Sequence, residues 1–398
     1  MPAQPTSIER SVPAPPGEPA GLYLHIPFCK HICPYCDFNT YAGQESLIPA
    51  YVNALAEEMR IAAERVPPVR PAPTLFFGGG TPSLLPPDDV ARLIETARAH
   101  YGLADNAEIS LEANPESVDV DYLSALRCAG INRLSLGIQS RQRAGLRVLG
   151  RGHHSLEAEA AFLAAREAGF DNISLDFIFG WPGQTLADWE RDLDDTLRWQ
   201  PEHVSLYSLI LEPNTPMELA ARKGILTPVD DDVVADFYEL AIERLAAADW
   251  EHYEIANWAR EPRYRSVHNQ LYWRNANYYG LGAGAHGYLD DLRGSNVRLP
   301  GDYIEAIRGG RRPLTHAEEI DAATAMSETM VLGLRLLLDG VSSADFERRH
   351  GRALEAVYAD AIDRFVGLEL LEWTAGHRLR LTARGALVAN SVCAEFLL

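Results

Sequence analysis

The sequence predicts an α/β fold: an incomplete (βα)6 barrel followed by a mostly helical, winged-helix-like C-terminal domain. Three observations predict it. Between residues 21 and 211, six short apolar runs alternate with helical stretches, the pattern of a parallel βα architecture. Cysteine, glycine or acidic and amide residues collect where each run stops, as they do where a barrel assembles its site from strand ends. Beyond residue 318 the chain is helical almost throughout. The expected division is a disordered Pro-rich tail (1–20), the barrel core (21–250), a connecting segment (251–317) and the C-terminal domain (318–398).

The first run carries Leu22, Leu24 and Ile26 in alternation and opens directly into Cys29-x3-Cys33-x2-Cys36. Three of the five cysteines thus fall within eight residues. Thiolates this close suit an iron–sulfur cluster or zinc. A cubane held by three thiolates keeps one iron open to an outside ligand. Zinc would recruit a fourth, and His25 or His31 could supply it. Nothing else in the sequence points to an oxidising compartment, which disfavours a disulfide.

A helix over 45–66 leads to the strand 74–77 and the triplet Gly78-Gly79-Gly80, followed by Thr81. Glycines at a strand end permit a close approach that a Cβ would forbid. Helix 87–101 then leads to strand 107–112, ending at Glu112, and helix 120–129 to strand 133–138, ending at Gln139. Helix 156–168 precedes strand 172–179 with Asp176, and helix 186–199 precedes strand 203–211, which runs into Glu212. A helix over 228–249 and an aromatic-rich strand over 251–258 follow. Residues 267–288 combine His268, His286, Trp273 and four tyrosines with small residues, a poor regular helix and a good surface for a flat ligand. Helices over 322–338, 342–349 and 354–368, a hairpin over 370–373 and 379–381, and a last helix from Arg384 complete the chain.

Composition narrows the function. With 398 residues, 47% of them hydrophobic, there is chain enough for one barrel-sized domain and a smaller one. A formal charge of −20 argues against a nucleic-acid partner, whose phosphates call for a basic surface. No apolar run reaches membrane-spanning length, and the N-terminus lacks the apolar core of a secretory signal, so the expected compartment is the cytoplasm. Cys128 and Cys393, in apolar helical contexts, are expected to be ordinary buried thiols.

The Cys29-x3-Cys33-x2-Cys36 spacing, with Tyr35 ahead of the third cysteine, resembles the signature of radical S-adenosylmethionine (SAM) proteins. The wider wording, Tyr23-Leu24-His25-Ile26-Pro27-Phe28-Cys29 and Tyr35-Cys36-Asp37-Phe38, is similar to the branch that contains oxygen-independent coproporphyrinogen oxidases and the HemW proteins. The resemblance implies a [4Fe-4S] cluster on Cys29, Cys33 and Cys36, with SAM on the open iron. It further implies SAM contacts at Tyr23, Gly79, Gly80, Thr81, Glu112, Gln139, Arg151 and Asp176. Taken singly, Glu112, Gln139 and Asp176 could merely terminate strands, and Arg151 could be a solvated loop charge; a guanidinium nevertheless suits the SAM carboxylate.

Two features separate this chain from the decarboxylating oxidases of the branch. Those enzymes resemble one another in a further cysteine two residues past the third ligand, where this chain has Phe38, and in a longer ordered N-terminal segment. Conversely, His268-Asn269-Gln270-Leu271-Tyr272-Trp273 matches the HNxxYW motif of the HemW group, which implies His268 as a haem-binding residue. Alone, His268 would read as a hydrogen-bonded histidine under aromatic rings; His286 and the pair His153-His154 read as structural. The resemblance therefore implies a haem chaperone, with haem as cargo, haem-acceptor proteins and an electron donor as partners. A coproporphyrinogen III oxidase is the alternative, and a radical enzyme acting on another substrate the third reading.

Overall fold

The computed structural model describes residues 19–398, so the expected Pro-rich tail falls, up to residue 18, outside the described residues. Six strands, β1 (Gly21–Ile26), β2 (Ala72–Gly79), β3 (Leu103–Ala113), β4 (Arg133–Gln139), β5 (Ile173–Phe179) and β6 (His203–Ser208), lie side by side in chain order and run parallel. Their periodicity of two sorts the side chains. Leu22, Leu24, Leu75, Phe77, Leu111, Leu136, Leu175 and Val204 are fully buried in the main core with the helices. The intervening Tyr23, Phe76, Glu112, Ser135, Asp176 and Ser205 turn the other way, into a polar and aromatic lumen.

Helices α1 (Ile48–Arg65), α2 (Pro87–Tyr101), α3 (Val120–Ala129), α4 (Ser155–Glu167) and α5 (Leu186–Trp199) connect these strands, and α6 (Asp231–Ala246) follows the last of them. Local chemistry sets their ends. Thr185 and Asp188 form a capping box at the start of α5, each side chain accepting the other's backbone N–H. On α3 the buried stripe is Leu123 and Leu126, which leaves Cys128 on the outer side; it is exposed, not buried as expected, whereas Cys393 is buried.

The expected strand over 251–258 breaks into a hairpin, β7 (Glu251–Glu254) and β8 (Asn257–Ala259), the latter antiparallel to β6. The stretch over 267–288 is more regular than expected. Its HNxxYW residues form α7 (Val267–Trp273), capped by Ser266, and Glu108 of β3 accepts the N–H groups of Val267 and His268, each at 3.0 Å. A carboxylate at a helix N-terminus meets unpaired N–H groups and the positive end of the helix dipole. The helix is thereby tied across the bottom of the barrel.

After α7 comes a seventh parallel strand that the alternation did not announce, β9 (Tyr278–Leu281), which pairs with the free edge of β1. Three antiparallel strands extend it: β10 (His286–Leu289), β11 (Leu292–Asn296) and β12 (Leu314–Glu319). Glu58 of α1 secures this addition. Its buried carboxylate accepts from Gly282 N at 2.7 Å and from Asn296 Nδ2 and Tyr303 O–H, each at 2.6 Å.

The C-terminal residues build a second core around Met330, Leu334, Phe346, Leu354, Ile362 and Leu379. It comprises α8 (Ala322–Gly333), α9 (Ser343–His350) and α10 (Leu354–Gly367) with a small sheet of β13 (Val341–Ser342), β14 (Leu371–Trp373) and β15 (Arg378–Leu381), the helix-plus-wing arrangement expected. It leans on the barrel floor. Arg349 donates to the carbonyl of Asn275, and the Arg335 guanidinium stacks over the Trp273 ring at 5.5 Å.

Candidate cofactor site at the barrel mouth

The cysteine loop leaves the top of β1 and folds over the ends of β2 and β4. Two backbone bonds hold it to the glycine turn: Gly80 N–H donates to the carbonyl of Ile26 and Thr81 N–H to that of Phe28, both at 2.8 Å. This contact requires glycine. A Cβ on residue 80 would lie 2.6 Å from the Phe28 carbonyl oxygen and 3.1 Å from Cys29 Sγ. Gly79 takes a φ of +115°, and a Cβ there would meet the His25 ring at 2.6 Å.

Cys29, Cys33 and Cys36 are free thiols. Thr81 Oγ1 donates to Cys29 Sγ at 3.5 Å, and Arg151 Nη1 to Cys33 Sγ at 3.7 Å. Burial pushes the pKa of Cys29 and Cys36 up, so the bare loop holds them as thiols that ionise on meeting a metal. Among the described residues, no three His, Cys, Asp or Glu side chains close on a single-ion position. A cubane cluster spreads its ligands farther apart than one ion does. Of the two histidines that could complete a zinc site, His25 is engaged, meeting the Tyr23 hydroxyl through Nδ1 and the Asn39 carbonyl through Nε2, each at 2.9 Å, whereas His31 is exposed.

The other expected residues converge on the same mouth. Gly79 N–H donates to Glu112 Oε2 at 3.1 Å. Asp176, on β5, accepts from Ser135 Oγ at 2.7 Å and Ser174 Oγ at 3.1 Å. Gln139 ends β4 at a φ of +64°, where the register with β5 slips, and its amide folds back over Gly137. Arg151 arrives from the loop before α4 and donates through Nη2 to the side chain of Asn114 and the carbonyl of Gly137. Its Nε is buried and unpartnered. An orphaned guanidinium N–H beside a glycine-walled opening and three free thiols fits a cluster with a small carboxylate-bearing molecule on it. Glu212 does not join them: β6 stops at Ser208, and Glu212 lies beyond it in the turn before residue 216, its carbonyl accepting from Thr215.

Burial and the neighbouring Asp176 push Glu112 up to about 8. The folded chain therefore holds this proton more tightly than the unfolded one, so its stabilising contribution is full below the ordinary carboxyl range and drains away as pH rises toward about 8. Glu112→Gln in metal-free protein is expected to leave the unfolding midpoint nearly unchanged near pH 5 and to raise it near pH 8.5, read by thermal denaturation. An equal shift at both values would contradict a buried, protonated Glu112.

Sequence reasoning missed Asn114, which positions both Thr81 and Arg151. His153 has the structural role expected of it: it braces the Arg151 loop, its Nε2 meeting the Ile138 carbonyl at 3.1 Å and its Nδ1 lying 3.4 Å from Glu116 Oε2. Polar residues just past a strand end are the available signal.

His268 lies elsewhere. It rises from α7 into the bottom of the lumen, stacked on Phe76 at 4.8 Å between ring centroids, and is 1% exposed. Nδ1 meets Thr74 Oγ1 and Nε2 the Tyr272 hydroxyl, both at 2.8 Å. Burial pushes its pKa down to about 3, so the ring is neutral, yet neither nitrogen is free for an iron in this arrangement.

Comparison with known proteins agrees with this geometry. Residues 23–196 match the Radical SAM superfamily and residues 320–388 the HemN C-terminal domain. The chain is 39% identical over 382 residues to heme chaperone HemW of Mycobacterium tuberculosis, covering 95% of this chain and 94% of that one. It is 38% identical to heme chaperone HemW of Bacillus subtilis (94% and 98% covered) and 33% identical to that of Escherichia coli (95% and 98%). Among solved structures, coproporphyrinogen III oxidase (HemN) of Escherichia coli superposes with a TM-score of 0.82 over 96% of this chain and 91% of that one, at 22% identity, which shows a common fold. Relatives at this identity over nearly the whole of both chains establish that the chain belongs to the heme chaperone HemW family of radical SAM proteins.

Proposed function

We propose that this protein is a haem chaperone: it binds haem and passes it to acceptor proteins, using a radical SAM scaffold. The observation that carries the reading is the likeness to heme chaperones HemW over about nineteen-twentieths of this chain. As a radical SAM protein it takes a [4Fe-4S] cluster and SAM. In this reading Cys29, Cys33 and Cys36 hold three irons. SAM lies across the mouth against Tyr23, Gly79, Gly80, Thr81, Glu112, Gln139, Arg151 and Asp176. An electron donor reduces the cluster from outside. Among the described residues no helix is long and apolar enough to cross a membrane.

Arg151 is assigned the SAM carboxylate because its Nε has no partner of its own. Losing a hydrogen bond to a charged group costs about 1.5–3 kcal/mol. Arg151→Ala is therefore expected to weaken SAM binding roughly ten- to hundredfold, measured from the SAM-induced change in the electron paramagnetic resonance of the reduced cluster. Unaltered SAM titration would remove Arg151 from the site.

The second reading, removal of two propionate carboxyls of coproporphyrinogen III, is favoured by the completeness of the SAM-facing set, which a carrier has less need to keep. Anaerobic incubation with coproporphyrinogen III, SAM and a low-potential reductant separates the two. The chaperone reading expects no protoporphyrinogen; its formation at catalytic yield would overturn the proposal.

A further inference from the structure

Asp176 is the open end of a buried hydrogen-bond chain that starts at the barrel floor. Ser266, the cap of α7, donates its N–H to the Tyr253 hydroxyl oxygen on β7 at 3.1 Å. That hydroxyl meets His203 Nε2 on β6 at 2.8 Å, and His203 Nδ1 meets Ser174 Oγ on β5, also at 2.8 Å. Ser174 Oγ then reaches Asp176 Oδ1 at 3.1 Å. Ser266, Tyr253, His203 and Ser174 are each at most 2% exposed, whereas Asp176 is only half-buried. The chain therefore opens at one end, on the lumen.

Its protons can point only one way. The Tyr253 oxygen already accepts from Ser266, so its single proton goes to His203 Nε2. Burial and the Arg133 guanidinium push the His203 pKa well below 6.5, so the ring is neutral and carries one N–H. With Nε2 accepting, that N–H sits on Nδ1 and is given to Ser174 Oγ. Ser174 keeps its own proton to donate, and Asp176 Oδ1 at 3.1 Å takes it in preference to Ser205 Oγ at 3.5 Å. Ser135 Oγ holds the other carboxylate oxygen at 2.7 Å. Two hydroxyl donors thus occupy Asp176 from within the wall, which leaves its remaining lone pairs for the ammonium or hydroxyl donors that SAM carries.

We propose that His203 is a positioning residue for SAM: held by Tyr253 in its Nδ1–H form, it turns the Ser174 hydroxyl onto Asp176 and so fixes the carboxylate that SAM meets. The inference rests on the reading that Asp176 faces SAM, and it extends that site to a histidine that touches no ligand. Through Ser266 it also ties the SAM-facing acceptor to α7.

The test is a SAM titration of full-length, anaerobically reconstituted protein, read from the electron paramagnetic resonance of the reduced cluster, with cluster content as the control. Wild type, Ser174→Ala, Tyr253→Phe, the double variant of these two and Asp176→Ala are compared. Ser174→Ala is expected to weaken SAM binding about tenfold, the loss of one hydrogen bond to a charged group. Tyr253→Phe removes one oxygen, two links away from Asp176. It frees His203 for the Nε2–H form, in which Nδ1 draws the Ser174 proton away from Asp176, and is expected to weaken binding roughly threefold to tenfold. The double variant should bind no more weakly than Ser174→Ala alone, because both changes act through one hydroxyl. Nitrogen NMR of histidine-labelled protein, with His203 assigned from His203→Gln, should show Nδ1–H in wild type and Nε2–H in Tyr253→Phe. Wild-type affinity in Tyr253→Phe, additive losses in the double variant, or an unchanged His203 tautomer would overturn the proposal while Asp176→Ala, by weakening binding, keeps Asp176 at the site. If Asp176→Ala binds SAM as wild type does, the assignment of Asp176 falls and the inference with it.

Discussion

Gly80→Ala is expected to leave a folded protein that can no longer hold its cluster. The added methyl would press on the Phe28 and Ile26 carbonyl oxygens at 2.6 and 2.9 Å and on Cys29 Sγ at 3.1 Å, all parts of the cysteine loop's own anchor. The first two are backbone and cannot swing aside. The loop must therefore lift, giving up the 2.8 Å bonds from Gly80 and Thr81 that set it against the barrel. Overpacking of this kind costs about 1–3 kcal/mol, equivalent to roughly a ten- to hundredfold loss in cluster retention. Iron and sulfide per chain after anaerobic reconstitution measure it, with Gly301→Ala, where an added Cβ meets nothing within 4 Å, as the control. Equal iron content in Gly80→Ala and wild type would show that the loop is not held as described.

The largest loss of stability is expected from Glu58→Ala. Its carboxylate is fully enclosed and is the common acceptor for Gly282 N–H, Asn296 Nδ2 and the Tyr303 hydroxyl. Removing it leaves three buried donors with no partner and a cavity where α1 crosses the β9–β10 turn. Breaking such a network by deleting one member costs about 3–5 kcal/mol, a large part of the 5–15 kcal/mol that holds a typical domain together. Glu58→Gln keeps acceptors for two of the donors and should lose distinctly less. Denaturant unfolding of the metal-free protein distinguishes them; a Glu58→Ala loss below about 1 kcal/mol would contradict the network's role.

Much of this architecture could be read from local sequence, because parallel strands buried under helices must be apolar along their outward positions. Leu22, Leu24, Leu75, Phe77, Leu136 and Leu175 signalled their strands for that reason. The α2, α3 and α5 limits are set locally too, by Pro87, by Asp119 with Gly130, and by the Thr185–Asp188 box. Long-range pairing left no local trace. The four residues of β9 lie more than two hundred positions from the β1 edge they complete, and Tyr278-Tyr279-Gly280-Leu281 has no periodicity to mark it as barrel. The hairpin break at Ile255-Ala256 carries no glycine or proline, so a continuous strand was the natural reading.

The candidate site divides the same way. Glu112, Gln139 and Asp176 were visible because each interrupts or ends an apolar run. Their supports Asn114, Ser135 and Ser174 are polar residues of ordinary type whose significance lies only in what they touch. His268 shows the opposite limit. Its six-residue motif was plain, but burial at the barrel floor depends on Glu108 reaching across from β3, a contact between residues 160 positions apart.

The measurement that bears most directly on this account is an equilibrium haem titration of the anaerobically reconstituted wild-type protein, with bound haem counted after gel filtration. The account predicts saturation at one haem per chain, with bound haem that persists through the column. Uptake that rises linearly without saturation, or haem lost on the column, would contradict it.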